Sequence, residues 1–333
     1  MKKILLIATG GTIASIKTNS GMKPNTSAEE LISYIPEIKG ICEVDYIQIF
    51  NVDSTNIQPE HWLKIVRCIE EKYEEYDGFV ITHGTDTMAY TSSAVSYLVQ
   101  NPKKPVILTG SQKPINADIT DAKKNLIDSF TFACDDDIHG VYLVFNGKAI
   151  VGTRARKLRS KSYNAFESIN YPVAAFIDEN RIIKYVEKER KDNDTAFYST
   201  INSKVFLLKL IPGMEPDVLD YISDKYDVIV IEGYGVGGLP FHNKRNFFDK
   251  LEMITKKGKI AVLSTQVMLE GSDAKLYEVG HRAVANYNVL EAYDMTTESV
   301  VVKLMWITSF TKEFNEIKKL FYKKINHDIL RID

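Results

Sequence analysis

Residues 4–14, ILLIATGGTIA, decide the fold. Five apolar residues, Ile4 to Ala8, run without alternation and stop at Thr9-Gly10-Gly11-Thr12. An unbroken apolar run closed by glycines predicts a strand buried on both faces of a parallel sheet. Two glycines let the backbone turn sharply and come close to a neighbour. The side chain that follows is the hydroxyl of Thr12. In open α/β sheets ligands sit beyond the carboxyl ends of the strands, so Thr12 stands where chemistry is common.

The same grammar recurs downstream. Val44 to Val52 reads as a buried strand ending in Asp53-Ser54-Thr55-Asn56, which can bind a ligand or cap the helix that starts near Pro59. Gly78 to Thr82 ends in His83-Gly84-Thr85-Asp86-Thr87, and Met88 to Val99 reads as a helix. Thr85 and Asp86 therefore stand at a helix N-terminus, which favours an anion or a developing oxyanion, although Asp86 or Thr87 could serve only as the N-cap. Pro105 to Thr109 and Val141 to Phe145 are further strands. Strands alternating with helices predict a doubly wound βαβ sheet, with Thr12, Ser54, Thr85 and Asp86 gathered along one edge. Ser15 to Thr26 has loop composition, and it is either a lid or a solvated connection. Ser27 with Glu30 predicts a capping box opening a helix through Tyr34. In the basic stretch Val151 to Ser160 most charges read as solvated surface. A single lysine carried into a site, such as Lys157, could pair with Asp86 and act as a base.

With 333 residues the chain predicts two domains of about 150 residues each. The expected boundaries are 1–185 for a larger N-terminal α/β domain, 186–204 for a charged and polar linker, and 205–333 for a smaller C-terminal α/β domain. That smaller domain has strands at Val205 to Leu210, Val228 to Ile231 and Lys259 to Leu263, and closing helices at Thr297 to Thr308 and Lys312 to Ile325. A formal charge of −2 gives no basic footprint for nucleic acid or for a membrane surface. Cys42, Cys68 and Cys134 form no CxxC or Cys/His cluster, so they read as buried thiols in a reducing compartment, with no metal site. Met1-Lys2-Lys3 before ILLIA imitates a signal peptide, but the apolar run falls short of the roughly 7–15 residues such a region needs. No run approaches about 18 apolar residues, so the expected location is the cytoplasm, with no membrane span.

Several chemistries are excluded. Thr12 and Ser15 occupy positions that G-x-G-x-x-G would need as glycine, and there is no P-loop, no G-x-S-x-G elbow and no HExxH. A lone histidine in a strand-end turn, His83, is more often structural than catalytic. What remains is two threonines, one aspartate and one lysine, which fits nucleophilic acyl transfer. A threonine hydroxyl needs a base to take its proton. A neutral lysine can do so while a carboxylate orients it, so Thr85, Lys157 and Asp86 could stand in for Ser-His-Asp by role.

These residues resemble the L-asparaginase family. ATGGTIAS (Ala8 to Ser15) and GFVITHGTDTMAYTSSAVSYL (Gly78 to Leu98) look like its two signatures, in the expected order. The likeness extends through NVDSTNIQPEHW (51–62), PVILTGSQKPI (105–115), FESINYP (166–172) and EGYGVGGLP (232–240). DSTN and MAYTSS look more like the cytoplasmic, type I members. The resemblance implies hydrolysis of L-asparagine to L-aspartate and ammonia, with no metal or organic cofactor. It also implies a homo-oligomer, either a dimer or a dimer of dimers. Thr12 would form the acyl-enzyme, and Thr85, Asp86 and Lys157 would be the second triad. Asp53, Ser54 and Thr55, with Gly84 and Asp86, would hold the substrate. The family's lid tyrosine falls at Met22, which has no hydroxyl to steady a proton. The alternatives are the amidohydrolase subunit of a tRNA-dependent amidotransferase, whose extra N-terminal domain would have no room before Ile4, and a non-catalytic asparagine-binding sensor.

Overall fold

The Ile4–Ala8 run lies in the strand Lys3–Gly10, buried from Ile4 onward. It pairs in parallel with Glu43–Val52 on one side and Gly78–Thr82 on the other. In the computed structural model the described residues are 1–18, 21–24, 26–179, 181–186, 193–276 and 287–330. By contacts the chain divides into two units, Met1–Ser199 and Thr200–Asp333. Among the described residues no helix is long and apolar enough to cross a membrane.

The first unit is built on an eight-stranded mixed sheet. Its parallel part runs Glu43–Val52, Lys3–Gly10, Gly78–Thr82, Pro105–Thr109, Gly140–Phe145. Numbered along the chain, that order is 2-1-3-4-5, so successive connections depart in opposite directions from the first strand. The crevice between the first and third strands is the switch point at which such sheets bind ligands. Three antiparallel strands extend the far edge: Lys148–Val151, Ala175–Asp178 and Arg181–Lys184. Sequence reading missed these because each is only four residues long. Glu43–Val52 is mostly exposed rather than buried, because it is an edge strand with a neighbour on one side only.

Helices cover the sheet. Ala28–Ser33 opens on the expected capping box, in which Ser27 Oγ accepts from Glu30 N–H at 3.2 Å and Glu30 Oε2 accepts from Ser27 N–H at 2.7 Å. It shares a core with Ala122–Ala133 through Leu31, Leu126 and Phe130. Met88–Leu98 is buried nearly all round. It tolerates Ser92 and Ser96 inside because both hydroxyls donate to carbonyls, Gly152 and Ser92 respectively, at 2.7 Å. Within Ser15 to Thr26 the described residues include two short strands. Ser15–Thr18 and Gly21–Pro24 pair antiparallel, so main-chain groups of this polar stretch find partners in each other. Met22 pairs with Lys17 through its backbone, and its side chain lies outside the described residues. Ala196–Phe197, inside the stretch read as a linker, pairs with Val99–Gln100. Cys134 is only partly buried. The neighbouring Cys134 and burial push the Cys42 thiol up.

The second unit carries four parallel strands in chain order, Val205–Lys209, Val228–Gly233, Ile260–Thr265 and Val289–Glu291. Helices Val218–Lys225 and Phe247–Lys256 pack on it through Leu219, Leu251 and Ile254. Helix Thr297–Ile307 is capped by Thr296, and inside it Lys303 is wholly buried against Asp328 at 2.6 Å. The ammonium also donates to Lys323 O at 2.8 Å, and Asp328 Oδ1 accepts from Ile325 N–H at 2.9 Å.

Candidate active site

Three strand ends meet within the first unit. Gly10 and Gly11 have positive φ, 101° and 81°, conformations that favour glycine. Gly11 donates its N–H to Val52 O at 3.0 Å. A Cβ on Gly11 would fall against Gly84 N and Cα, and 2.9 Å from the His83 carbonyl carbon. A Cβ on Gly84 would lie 2.5 Å from Ser54 Oγ. The first and third strand ends therefore touch backbone to backbone. Thr12 and Thr85, each directly following one of these glycines, are brought to the same crevice.

Thr12 opens a short 3₁₀ turn, Thr12–Ala14, and is partly exposed. Ser54 is buried, and its hydroxyl accepts from Asp86 N–H at 3.2 Å while its carbonyl accepts from the Thr87 hydroxyl at 2.7 Å. Thr87 thus laces two turns together and makes no side-chain cap on the helix behind it, so the capping reading of Asp86–Thr87 gives way. The helix Pro59–Lys72 has Gln58 at its N-cap, so Asp53 does not cap it; Asp53 instead caps the 3₁₀ turn Ser54–Asn56, its Oδ1 accepting from Thr55 N–H and Thr55 Oγ1, both at 2.8 Å. Asp53 and Thr55 are exposed at the crevice rim.

Lys157 enters on a short strand, Ala155–Lys157, paired with Phe166–Ser168. Its Nζ donates to Thr85 Oγ1 at 2.8 Å and to Asp86 Oδ1 at 2.6 Å. The basic stretch is less solvated than expected: the Arg154 side chain is fully buried, and its guanidinium stands 5.6 Å from the Tyr171 ring centre. Two further side chains reach the site. Gln112 Oε1 accepts from the Thr85 hydroxyl at 3.3 Å. Asp121 accepts from Gln112 N–H at 2.9 Å and from Lys113 N–H at 3.0 Å. Burial pushes the Asp121 carboxyl up against the pull of those N–H groups. Sequence reading missed both. The signal was an aspartate directly before a helix, Ala122–Ala133, whose own pattern is masked by a long polar approach.

His83 is structural, as its lone position suggested. The ring is fully buried, and burial lowers its pKa to about 4. Trp62 Nε1–H donates to Thr91 Oγ1 at 3.0 Å, and Thr91 Oγ1 lies 2.9 Å from His83 Nε2. The neutral ring then donates from Nδ1 to Gly84 O at 2.7 Å and fixes that peptide. Unfolded, the ring takes a proton near pH 6.5; folded, only near 4. Between those values the unfolded chain binds the extra proton, so stability present at pH 7 is lost as the pH falls from 6.5 toward 4. The expected loss from this ring is roughly 3 kcal/mol. Urea midpoints at pH 7 and pH 4.5 measure it. His83→Gln should flatten the slope, and an unchanged slope would place the titration elsewhere.

Residues 3–190 match the family model described as Asparaginase, N-terminal. Residues 204–321 match the one described as Glutaminase/Asparaginase C-terminal domain. The chain is similar to an L-asparaginase from Thermococcus kodakarensis, 40% identical over 98% of this chain and 99% of the relative. It is also similar to a subunit of the glutamyl-tRNA(Gln) amidotransferase from Pyrococcus abyssi, 33% identical over 96% of this chain and 75% of the relative. Among solved structures, the thermostable L-asparaginase from Thermococcus kodakarensis superposes with a TM-score of 0.92 at 39% identity, covering 99% of this chain and 100% of that one. L-asparaginase I from Vibrio cholerae superposes at 0.89 with 28% identity, covering 99% of each. With both family models matched along nearly the whole chain, the chain belongs to the asparaginase family.

Proposed function

We propose that this chain is an L-asparaginase that hydrolyses L-asparagine to L-aspartate and ammonia through a threonine acyl-enzyme. The observation that carries this reading is Lys157 Nζ seated between Thr85 Oγ1 at 2.8 Å and Asp86 Oδ1 at 2.6 Å, beside the turn that bears Thr12. In this reading Thr12 Oγ attacks the side-chain amide carbon and its proton passes to the base. The base returns that proton to the amide nitrogen as the C–N bond breaks, so ammonia leaves and the acyl group stays on Thr12. Water, activated by Thr85 with Lys157, hydrolyses the ester and restores Thr12. Asp86 holds Lys157 in place. Ser54, Asp53, Thr55 and Gly84 form the rim and floor against which the substrate's α-amino and α-carboxylate groups would be held. The relation to asparaginases of the cytoplasmic type supports a cytoplasmic homo-oligomer.

The test is ammonia release from L-asparagine and L-glutamine by the wild type and by Lys157→Met. Turnover of asparagine that falls about 10²–10⁴-fold in the variant supports the reading. A folded wild type that binds asparagine but releases no ammonia would make it a sensor instead.

A further inference from the structure

We propose that Gln112 is a positioning residue for this reaction, one side chain that holds the Thr85 proton and ties down the loop following Lys157. The inference rests on the reading of Thr85 and Lys157 given above. Gln112 Nε2 faces two main-chain carbonyls, Ser162 O at 3.1 Å and Arg159 O at 3.4 Å. Carbonyls only accept, so the amide nitrogen must point at them and Oε1 must point at Thr85. Thr85 has a single proton. While Lys157 donates to Thr85 Oγ1, that proton needs another acceptor, and Gln112 Oε1 is there at 3.3 Å.

The same amide therefore touches Thr85 directly and the turn that follows Lys157. Arg159 and Ser162 belong to the turn between the paired strands Ala155–Lys157 and Phe166–Ser168, so holding their carbonyls holds the strand end that carries Lys157. Gln112 is itself anchored from behind, because Asp121 accepts its N–H through both carboxylate oxygens, at 2.9 and 3.1 Å. Asn125 braces Asp121 at 3.3 Å and accepts Asn146 N–H through its own carbonyl at 2.9 Å. The chain Asp121–Gln112–Thr85–Lys157–Asp86 is continuous. When Lys157 is neutral and Thr85 turns its proton toward it, Gln112 releases that proton without moving. Both states of the relay are then available in one geometry.

The experiment combines Gln112→Met with Thr85→Ala, singly and together, in steady-state asparagine hydrolysis. Gln112→Met alone should lower kcat about 10- to 100-fold and move KM less than about threefold, the pattern of a misplaced relay rather than a lost binding contact. In the Thr85→Ala background it should cost nothing further, since its route to the reaction is gone. Asp121→Asn loosens the anchor without touching Thr85. It should give a smaller loss, about three- to tenfold, that is likewise silent with Thr85→Ala. Wild-type kcat in Gln112→Met overturns the inference. So does an equal fold-loss in both backgrounds, which a purely structural role would give. If Thr85→Ala alone keeps wild-type kcat, the relay reading itself falls, and that result appears in a different variant.

Discussion

Replacing Thr12 with alanine should lower asparagine turnover at least about 10⁴-fold and leave the fold intact. The loss is large because the hydroxyl is the proposed bond-forming atom, and neither binding nor the base can substitute for a missing nucleophile. The fold should survive because Thr12 is partly exposed on a 3₁₀ turn whose shape is set by Gly10 and Gly11. Binding of L-aspartate should change little, since the rim residues Asp53, Ser54 and Thr55 are untouched. Thr12→Ser keeps a hydroxyl and should keep a measurable part of kcat. The decisive readout is intact-protein mass during turnover of a slow amide. Wild type should carry the acyl adduct and Thr12→Ala should not. A loss of only about tenfold, or an adduct that maps to Thr85, would move the attack to the second threonine.

The second large effect concerns stability. Lys303 and Asp328 are both fully buried and 2.6 Å apart. Burial holds the Lys303 ammonium below its ordinary range even with Asp328 opposing, so desolvation outweighs the attraction there. Such a pair adds little net stability, yet breaking it leaves a buried charge without its countercharge. Lys303→Met or Asp328→Leu should each destabilise the second unit by about 3–5 kcal/mol. The double variant should be more stable than either single. It should recover only part of the loss, because Ile325 N–H and Lys323 O lose their partners. Urea unfolding followed through Trp306, buried in the same helix as Lys303, measures this in a Trp62→Phe background. A double variant no better than the singles would mean that the pair contributes more than its desolvation removes.

Much of the site was legible because strand ends announce themselves. Lys3–Gly10, Gly78–Thr82 and Pro105–Thr109 are apolar runs that stop at glycine and hydroxyl residues, and the parallel sheet lines those stops up. Lys157 was legible only as one cation among several, since its strand is three residues long and its partner strand lies beyond a turn. Gln112 was legible only as part of the polar turn after Pro105–Thr109, and Asp121 only as an aspartate before a helix. Their roles depend on which hydrogen bonds an amide and a carboxylate make across turns, and neither residue type signals that in sequence. The antiparallel strands failed for a related reason: Arg181–Lys184 is two isoleucines between two cations at the start of a charged stretch, which reads as solvated surface until an edge is known. The pairing of Ser15–Thr18 with Gly21–Pro24 was hidden by composition, because residues typical of loops also form short strands when their backbones pair.

The contact between Gly11 and Gly84 limits how the substrate preference of this enzyme can evolve or be engineered. Any side chain at either position strikes main-chain or Ser54 atoms, and a Cβ at Gly110 strikes the His83 carbonyl. None of these neighbours is a flexible tip that could swing away. A combinatorial library spread evenly over the crevice would therefore be dominated at these positions by misassembled sites. Productive diversity lies in the exposed rim at Asp53 and Thr55 and in the Arg159–Ser162 turn, where new groups can be tried while the reacting atoms stay in register.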